Sequence, residues 1–253
     1  MTIASHEQAV GVRLHRYGSI ASAPTVLYCF PHAGGAAPYF RSWPLVVPEN
    51  VAVRALQLPG RQDLRTSTPF RDMTELAEAV ASAVTEDADG RPFGLFGHSM
   101  GALIAFETAR ELRRRGLDGP RVLGASACRA PHLPPPLSTA GLSDELLFER
   151  VQQLGGMPQE VLDNRELIEL SLPALRADFA LLNSYRFRPE ATLNVPLTVF
   201  GGKDDRSVPV DSLTAWQIHS AEPITVRKFV GDHFYLSRWS SQVAADLCAH
   251  LTD

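Results

Sequence analysis

The 253-residue sequence lacks any hydrophobic run long enough to cross a bilayer, and its N-terminus carries no apolar targeting segment. It also lacks an excess of one charge, because 24 basic and 28 acidic side chains leave a formal net charge of −4. A chain without a cationic field is a poor partner for nucleic acid or an anionic membrane. We therefore expect a cytoplasmic protein that acts on a small molecule or on another protein.

Cysteine is scarce as well. Cys29, Cys128 and Cys248 are far apart and have apolar neighbours, a pattern typical of buried thiols rather than of a disulfide framework or a metal site. No internal repeat interrupts the chain. With 45% hydrophobic and 21% charged residues, the sequence can bury the core of one domain spanning residues 1–253.

Short runs of branched and aromatic residues alternate with helical patterns along the chain. The helical patterns cover Met73–Val84 and Leu103–Arg115. The predicted strands are Val12–Tyr17, Thr25–Phe30, Val51–Leu58, Phe93–Phe96, Val122–Ala127, Leu197–Phe200 and Ile224–Val230. Because strand and helix alternate, we predict an α/β fold with a mostly parallel central sheet flanked by helices.

This alternation stops at residues 131–188, which offer helical stripes and no good strand candidate. The stripes are Leu147, Val151 and Leu154, then Leu175, Phe179 and Leu182. Ser143 suits a helix start, Gly155–Gly156 a stop, and Pro173 the first turn of the next helix. We predict a helical insertion that forms a lid over the active site. The alternative is a connection that packs only for stability.

The segment Gly97-His-Ser-Met-Gly101 lies between a predicted strand and a predicted helix. This context is the one that a nucleophile elbow requires, with Ser99 as the nucleophile. Side chains two residues to either side of the serine would collide with the strand and the helix, and glycine occupies both places. The alternative is an ordinary strand-to-helix turn.

A serine hydroxyl needs a base, and in this fold the chain order is serine, acid, histidine. His233 follows the last predicted strand and is the candidate base, whereas His219 and His250 fall within helical patterns. Asp204 and Asp205 both follow the preceding strand. We favour Asp205 as the acid that orients the imidazole, and keep Asp204 in reserve.

Attack on a carbonyl also needs N–H donors for the developing oxyanion. One donor follows the nucleophile, which gives Met100, and the other follows an earlier strand, where Pro31-His-Ala-Gly-Gly35 makes the Ala33 N–H the best candidate. A simple glycine turn is the alternative for this loop. His32 and His98 flank the site by sequence, but neither holds the position of a base.

These segments together resemble the type II thioesterases of polyketide and nonribosomal peptide synthesis. The resemblance runs in order through nearly the whole chain, on Pro31-His-Ala-Gly-Gly35, Leu58-Pro-Gly-Arg61, Gly97-His-Ser-Met-Gly101, Gly201-Gly-Lys-Asp-Asp205 and Gly231-Asp-His-Phe234. It implies an α/β-hydrolase fold with a helical lid between the sixth and seventh core strands. It also implies a triad of Ser99, Asp205 and His233, with Ala33 and Met100 as oxyanion donors.

The resemblance further implies a function, namely hydrolysis of acyl thioesters held on the phosphopantetheine arm of acyl or peptidyl carrier proteins. No cofactor and no metal are expected, and we expect a monomer. The alternatives are a carboxylester hydrolase or lipase on the same scaffold, a cyclising thioesterase, which is usually fused to a synthase, and a non-catalytic ligand-binding protein. Candidate carrier-docking cations are Arg61, Arg65 and the run Arg110–Arg115, although such a run is more often a solvated helix end.

Overall fold

The computed structural model describes residues 11–18, 23–134, 139, 141–155 and 164–251. Its centre is a seven-stranded sheet in the order β1-β3-β2-β4-β5-β6-β7. The strands are β1 (Arg13–Tyr17), β2 (Thr25–Phe30), β3 (Val51–Gln57), β4 (Phe93–His98), β5 (Val122–Ser126), β6 (Leu197–Gly202) and β7 (Thr225–Phe229). Only β1 runs antiparallel to its neighbour, so the predicted α/β fold with a mostly parallel sheet is confirmed.

Six α-helices accompany these strands in the described residues. They are α1 (Met73–Ala88), α2 (Met100–Arg114), α3 (Asp144–Gln153), α4 (Arg165–Ser184), α5 (Val210–Thr214) and α6 (Leu236–Cys248). Short 3₁₀ turns lie at Ala37–Phe40, Trp43–Leu45, Gln62–Leu64 and Ala215–His219. None of the helices in the described ranges is both long and apolar enough to cross a membrane.

The five inner strands, β2 to β6, are buried on both faces, which explains why they are mostly apolar, whereas the edge strands β1 and β7 are partly exposed and carry charged residues. In β2, Val26 and Tyr28 pack on the face covered by α1 and α2, whereas Leu27 and Cys29 pack on the opposite face with Leu247 of α6. This alternation follows from the two-residue period of a strand. The carboxyl ends of the parallel strands therefore meet along one edge, where loops of different sequence position come together.

Two details of the predicted insertion differ in the structure and two others agree with it. Helices α3 and α4 connect β5 to β6, so the insertion follows the fifth strand of this chain and not the sixth. Ser143 caps α3 as predicted by accepting from Leu146 N–H. Pro173, however, lies inside α4, because Asn164 caps that helix earlier by accepting from two N–H groups of its first turn. Gly155 has a left-handed φ of 81° and Gly156 lies outside the described residues.

Candidate active site

The serine of the predicted elbow sits at the junction of β4 and α2 with an unusual backbone. Ser99 has φ 56° and ψ −118°, a conformation that side-chain-bearing residues rarely adopt. A Cβ on Gly97 would lie 2.0 Å from the carbonyl oxygen of Gly101, and a Cβ on Gly101 would lie 2.0 Å from the oxygen of Phe30. Both positions therefore require glycine.

Three side chains from separate loops meet in a chain of hydrogen bonds. Ser99 Oγ lies 2.9 Å from His233 Nε2, and His233 Nδ1 lies 2.6 Å from Asp205 Oδ2. His233 and Asp205 are both buried. The structure thus brings together the three residues that the sequence singled out, from the loops after β4, β6 and β7. In this arrangement the imidazole can accept a proton from the hydroxyl while the carboxylate holds Nδ1–H.

The second oxygen of Asp205 is fully engaged by its own loop. Asp205 Oδ1 accepts from Ser207 N–H at 2.8 Å, from the Ser207 hydroxyl at 2.6 Å and from Val208 N–H at 3.2 Å. Burial alone would raise the pKa of Asp205, but the hydrogen bonds from His233 and Ser207 outweigh it and lower the pKa below its ordinary value. The carboxylate therefore stays ionised beside the imidazole.

Asp204, the reserve candidate, bonds the backbone of Gly231. Its Oδ2 accepts from Gly231 N–H at 3.2 Å, and its own N–H donates to the Gly231 carbonyl at 3.0 Å. These bonds join the loop after β6 to the loop that carries His233. The geometry favours Asp205 over Asp204 as the partner of the imidazole.

The two predicted oxyanion donors also lie at this edge. Met100 is the first residue of α2, so its N–H has no acceptor within the helix. In the loop after β2, Gly34 N–H donates to Asp178 Oδ2 at 2.7 Å and Gly35 N–H donates to the His32 carbonyl at 2.9 Å. Among the described residues, no hydrogen bond engages the N–H of Ala33. The amide of Ala33 is thus available to a ligand.

Sequence reasoning missed a buried ion pair behind this loop. Arg61 Nη1 and Nη2 each donate to the Asp178 carboxylate at 2.6 Å, and Nη1 also donates to the Gly35 carbonyl at 2.9 Å. Arg61 is 7% exposed, so the expectation that it docks a carrier protein is wrong. Its guanidinium is enclosed because it bridges α4 and the glycine loop. A separation of 117 residues left no local signal of this pair.

The remaining histidines near the site are held neutral. Burial, together with the nearby His233 and Arg61, lowers the pKa of His32 to about 3. Burial also lowers the pKa of His98, whose Nδ1 is 2.8 Å from Ser126 Oγ. His219, which falls within a predicted helical pattern, is buried, and its Nε2 lies 2.9 Å from His132 Nδ1. Among the described residues the imidazole that hydrogen-bonds Ser99 Oγ is that of His233, not that of His32 or His98, in agreement with the prediction that neither holds the position of the base.

The basic run on α2 is paired within the chain. Arg110 is buried and bonds Glu107 Oε1 at 2.7 Å, while Arg115 bonds Glu111 Oε1 at 2.6 Å. Arg113 similarly meets Glu190. Self-paired cations offer little free charge to a docking partner. Arg65, the other candidate, is exposed.

The described part of the chain holds no group of three or more histidine, cysteine, aspartate or glutamate side chains placed to bind a metal ion. The groups that the described residues bring to this edge of the sheet are a hydroxyl, an imidazole, a carboxylate and two backbone amides. A strained serine at the carboxyl edge of a parallel sheet, followed at once by a helix, defines a hydrolase of the α/β-hydrolase type.

Comparison with known proteins identifies the family. A family model described as a thioesterase domain matches residues 25–251. The chain is 34% identical over 232 residues to the gramicidin S biosynthesis protein GrsT of Aneurinibacillus migulanus, covering 91% of this chain and 90% of that protein. The protein described here belongs to the thioesterase family.

Solved structures agree with this assignment. RedJ, a thioesterase from the prodiginine biosynthetic pathway of Streptomyces coelicolor, superposes with a TM-score of 0.86 at 37% identity and covers 92% of each chain. The type II thioesterase BorB from the borrelidin biosynthetic cluster superposes with a TM-score of 0.82 at 34% identity, over 96% of this chain and 98% of BorB. The resemblance to type II thioesterases that the motifs indicated is therefore confirmed.

Proposed function

We propose that this protein hydrolyses acyl thioesters from the phosphopantetheine arm of acyl or peptidyl carrier proteins, as an editing enzyme of polyketide or nonribosomal peptide synthesis. The observation that carries the proposal is the hydrogen-bonded chain from Ser99 through His233 to Asp205, beside a backbone amide with no partner among the described residues. The biosynthetic names of GrsT, RedJ and BorB support the substrate class.

In the first half of the reaction, Ser99 Oγ attacks the thioester carbonyl while His233 Nε2 takes the hydroxyl proton. Negative charge develops on the carbonyl oxygen, and the N–H groups of Ala33 and Met100 stabilise it. Such donors are each worth about 3–4 kcal/mol of barrier. The tetrahedral intermediate collapses to an acyl-serine, and His233 returns the proton to the departing thiolate.

In the second half, His233 takes a proton from water, and the resulting hydroxide attacks the acyl-serine. Collapse of this second intermediate releases the carboxylic acid and returns the proton to Ser99. Because a thiol leaves far more readily than an alkoxide, deacylation is the slower half. A pre-steady-state burst of thiol release, equal to one per enzyme, is the expected sign; release without a burst at saturating substrate contradicts this order of steps.

In this proposal the insertion at residues 131–188 acts as a lid on a single domain of residues 1–253. The terminal residues 1–10 and 252–253 of that domain lie outside the described ranges. Two contacts support the lid. Leu175 of α4 packs on Gly34 of the oxyanion loop, and Gly155 after α3 lies beside Asp232, next to His233. The insertion also has its own small cluster of Leu147, Val151 and Leu175, separate from the main core. It thus reaches both sides of the reacting serine.

The decisive experiment is intact-protein mass spectrometry of several acylated carrier proteins incubated with the wild type and with Ser99→Ala, beside simple aryl esters. We expect loss of short or aberrant acyl groups from the carriers with the wild type alone. Aryl esters cleaved much faster than any carrier thioester would instead support a carboxylester hydrolase. Undiminished biological activity of Ser99→Ala would support a non-catalytic ligand-binding protein.

A further inference from the structure

The carboxylate of Asp178 joins three parts of the chain that meet behind the oxyanion loop. It lies on α4 of the insertion and receives both guanidinium nitrogens of Arg61, which follows β3. The same Oδ2 atom accepts the N–H of Gly34 at 2.7 Å. Arg61 in turn donates to the carbonyl of Gly35 at 2.9 Å. The ion pair therefore holds the glycine loop by one N–H and one C=O.

These bonds fix the peptide units immediately after Ala33. Gly34 has a left-handed φ of 76°, and a Cβ there would lie 2.7 Å from Leu175 Cδ1. The loop thus packs against Leu175 of α4. It is also hydrogen-bonded by Asp178, one turn further along the same helix. A two-residue glycine segment is otherwise the most pliable backbone available. Without these contacts, we expect the Ala33 N–H to sample other directions.

A buried ion pair is a poor source of net stability, because desolvation of the two charges offsets their attraction. Arg61 and Asp178 are both buried, and apolar residues of similar volume would fill the space as well. The retention of charge is explained if the pair does something that packing alone cannot do. Orienting two polar backbone groups of the oxyanion loop is such a role.

We propose that Arg61 and Asp178 are positioning residues that set the oxyanion donor Ala33, so that α4 of the insertion completes the transition-state site. The inference rests on the proposed function of Ala33 and Ser99. It makes the insertion part of the chemistry: when α4 lies on the loop the donor is aligned, and when α4 moves away the donor loses its alignment. Neither side chain touches the substrate.

The test uses two variants of the full chain. In Asp178→Asn the side-chain NH2 group must face a guanidinium nitrogen, and two donors cannot hydrogen-bond each other. The bidentate pairing with Arg61 is therefore broken, while the amide oxygen can still accept from Gly34 N–H. The double variant Arg61→Met/Asp178→Leu removes both loop bonds and leaves no unpaired buried charge, so we expect it to fold. We expect kcat to fall about 10- to 100-fold in the double variant and less in Asp178→Asn, with KM nearly unchanged.

A control is a second, largely buried arginine–aspartate pair among the described residues, Arg54 with Asp87, whose Nε and Oδ2 atoms are 3.1 Å apart. The Asp87 carboxylate also bonds Arg16 and the Tyr28 hydroxyl. This pair lies near the C-terminal end of α1, away from the carboxyl edge of the sheet. The variant Arg54→Met/Asp87→Leu should keep kcat within about twofold, whatever it does to stability. Circular dichroism and thermal unfolding of all variants show which of them are folded.

Affinity for a trifluoromethyl ketone, which forms an oxyanion adduct with the serine, separates positioning from structure. We expect its affinity to fall by the same factor as kcat in the double variant. A folded double variant with wild-type kcat and wild-type affinity for this inhibitor would overturn the proposal, as would a change confined to KM. The kcat and KM values of all variants are measured with an aryl ester as substrate, so the result stands whether or not carrier thioesters are the natural substrates. Failure of the proposed function would appear as wild-type protein inactive on acylated carriers.

Discussion

Replacement of Asp205 by asparagine tests the assignment of the acid, because the surrounding hydrogen bonds dictate how the new amide must lie. Three donors converge on Asp205 Oδ1: two backbone N–H groups and the Ser207 hydroxyl. Only an oxygen can accept from them, so the amide NH2 of Asp205→Asn must take the place of Oδ2, 2.6 Å from His233 Nδ1. His233 Nδ1 must then accept a hydrogen bond from this NH2 group.

The consequence is a change of tautomer. With Nδ1 accepting, the imidazole carries its proton on Nε2, which faces Ser99 Oγ at 2.9 Å and can no longer take the hydroxyl proton. In serine proteases the same exchange lowers kcat roughly 10⁴-fold with the geometry intact. We expect a loss of this order here, equivalent to about 5 kcal/mol of transition-state stabilisation.

The assay is steady-state hydrolysis of an acyl thioester by the wild type, Asp205→Asn and Asp204→Asn, with KM and kcat reported separately. The Asp204 carboxylate accepts from Gly231 N–H at 3.2 Å, a bond that an amide oxygen can keep, so Asp204→Asn should change kcat less than about threefold. The reasoning is refuted if Asp205→Asn keeps kcat within tenfold of the wild type, or if Asp204→Asn is the more damaging change.

Three further outcomes follow from single contacts. Gly97→Ala places a Cβ 2.0 Å from the Gly101 oxygen. Urea unfolding should therefore show that the free energy of unfolding falls by at least about 3 kcal/mol, or that no folded protein forms; a variant as stable as the wild type would contradict this. Ser207→Ala removes the hydroxyl bond to Asp205 but leaves two backbone donors, so kcat should fall about tenfold without a change in KM. The pKa of His32 is lowered to about 3 by burial; the folded state then binds fewer protons than the unfolded one. Stability should accordingly decline as the pH falls from about 6.5 towards 3, by up to about 1.4 kcal/mol per pH unit, and an equally steep decline in His32→Gln would contradict this cause.

The elbow could be predicted from the sequence because its signals are local. Gly97, Ser99 and Gly101 follow an apolar run and precede a helical pattern within a few residues, and each glycine answers a steric need that can be stated without coordinates. The candidates Asp205 and His233 were found for a similar reason, because each follows a short predicted strand. The sheet order confirms the class of fold, since parallel strands deliver their carboxyl ends to one edge.

Most of what escaped prediction depends on contacts between distant segments. Nothing near Arg61 in sequence indicates that its partner is Asp178, and an isolated arginine in a loop is normally interpreted as a surface residue. Pro173 was misplaced because proline suits a first helical turn, whereas the Asn164 cap starts α4 nine residues earlier. His219 was assigned from a helical pattern that says nothing about which side is covered. Tertiary packing decides the positions of Arg61 and His219, whereas the Asn164 cap is a local signal that the prediction overlooked.

The position of the insertion in the sheet brings its two described helices to the candidate site from a central point. It leaves after β5, whose neighbours are β4 and β6, and these two strands carry Ser99 and Asp205 at their ends. From this central point, α3 extends towards the loop of His233, and α4 extends back over the loop after β2. Substitutions on the outer face of α4, such as at the exposed Leu170, leave these contacts intact. Substitutions of Asp178, which bonds Gly34 N–H and Arg61 from the same helix, should lower activity if the position of the oxyanion donor depends on it.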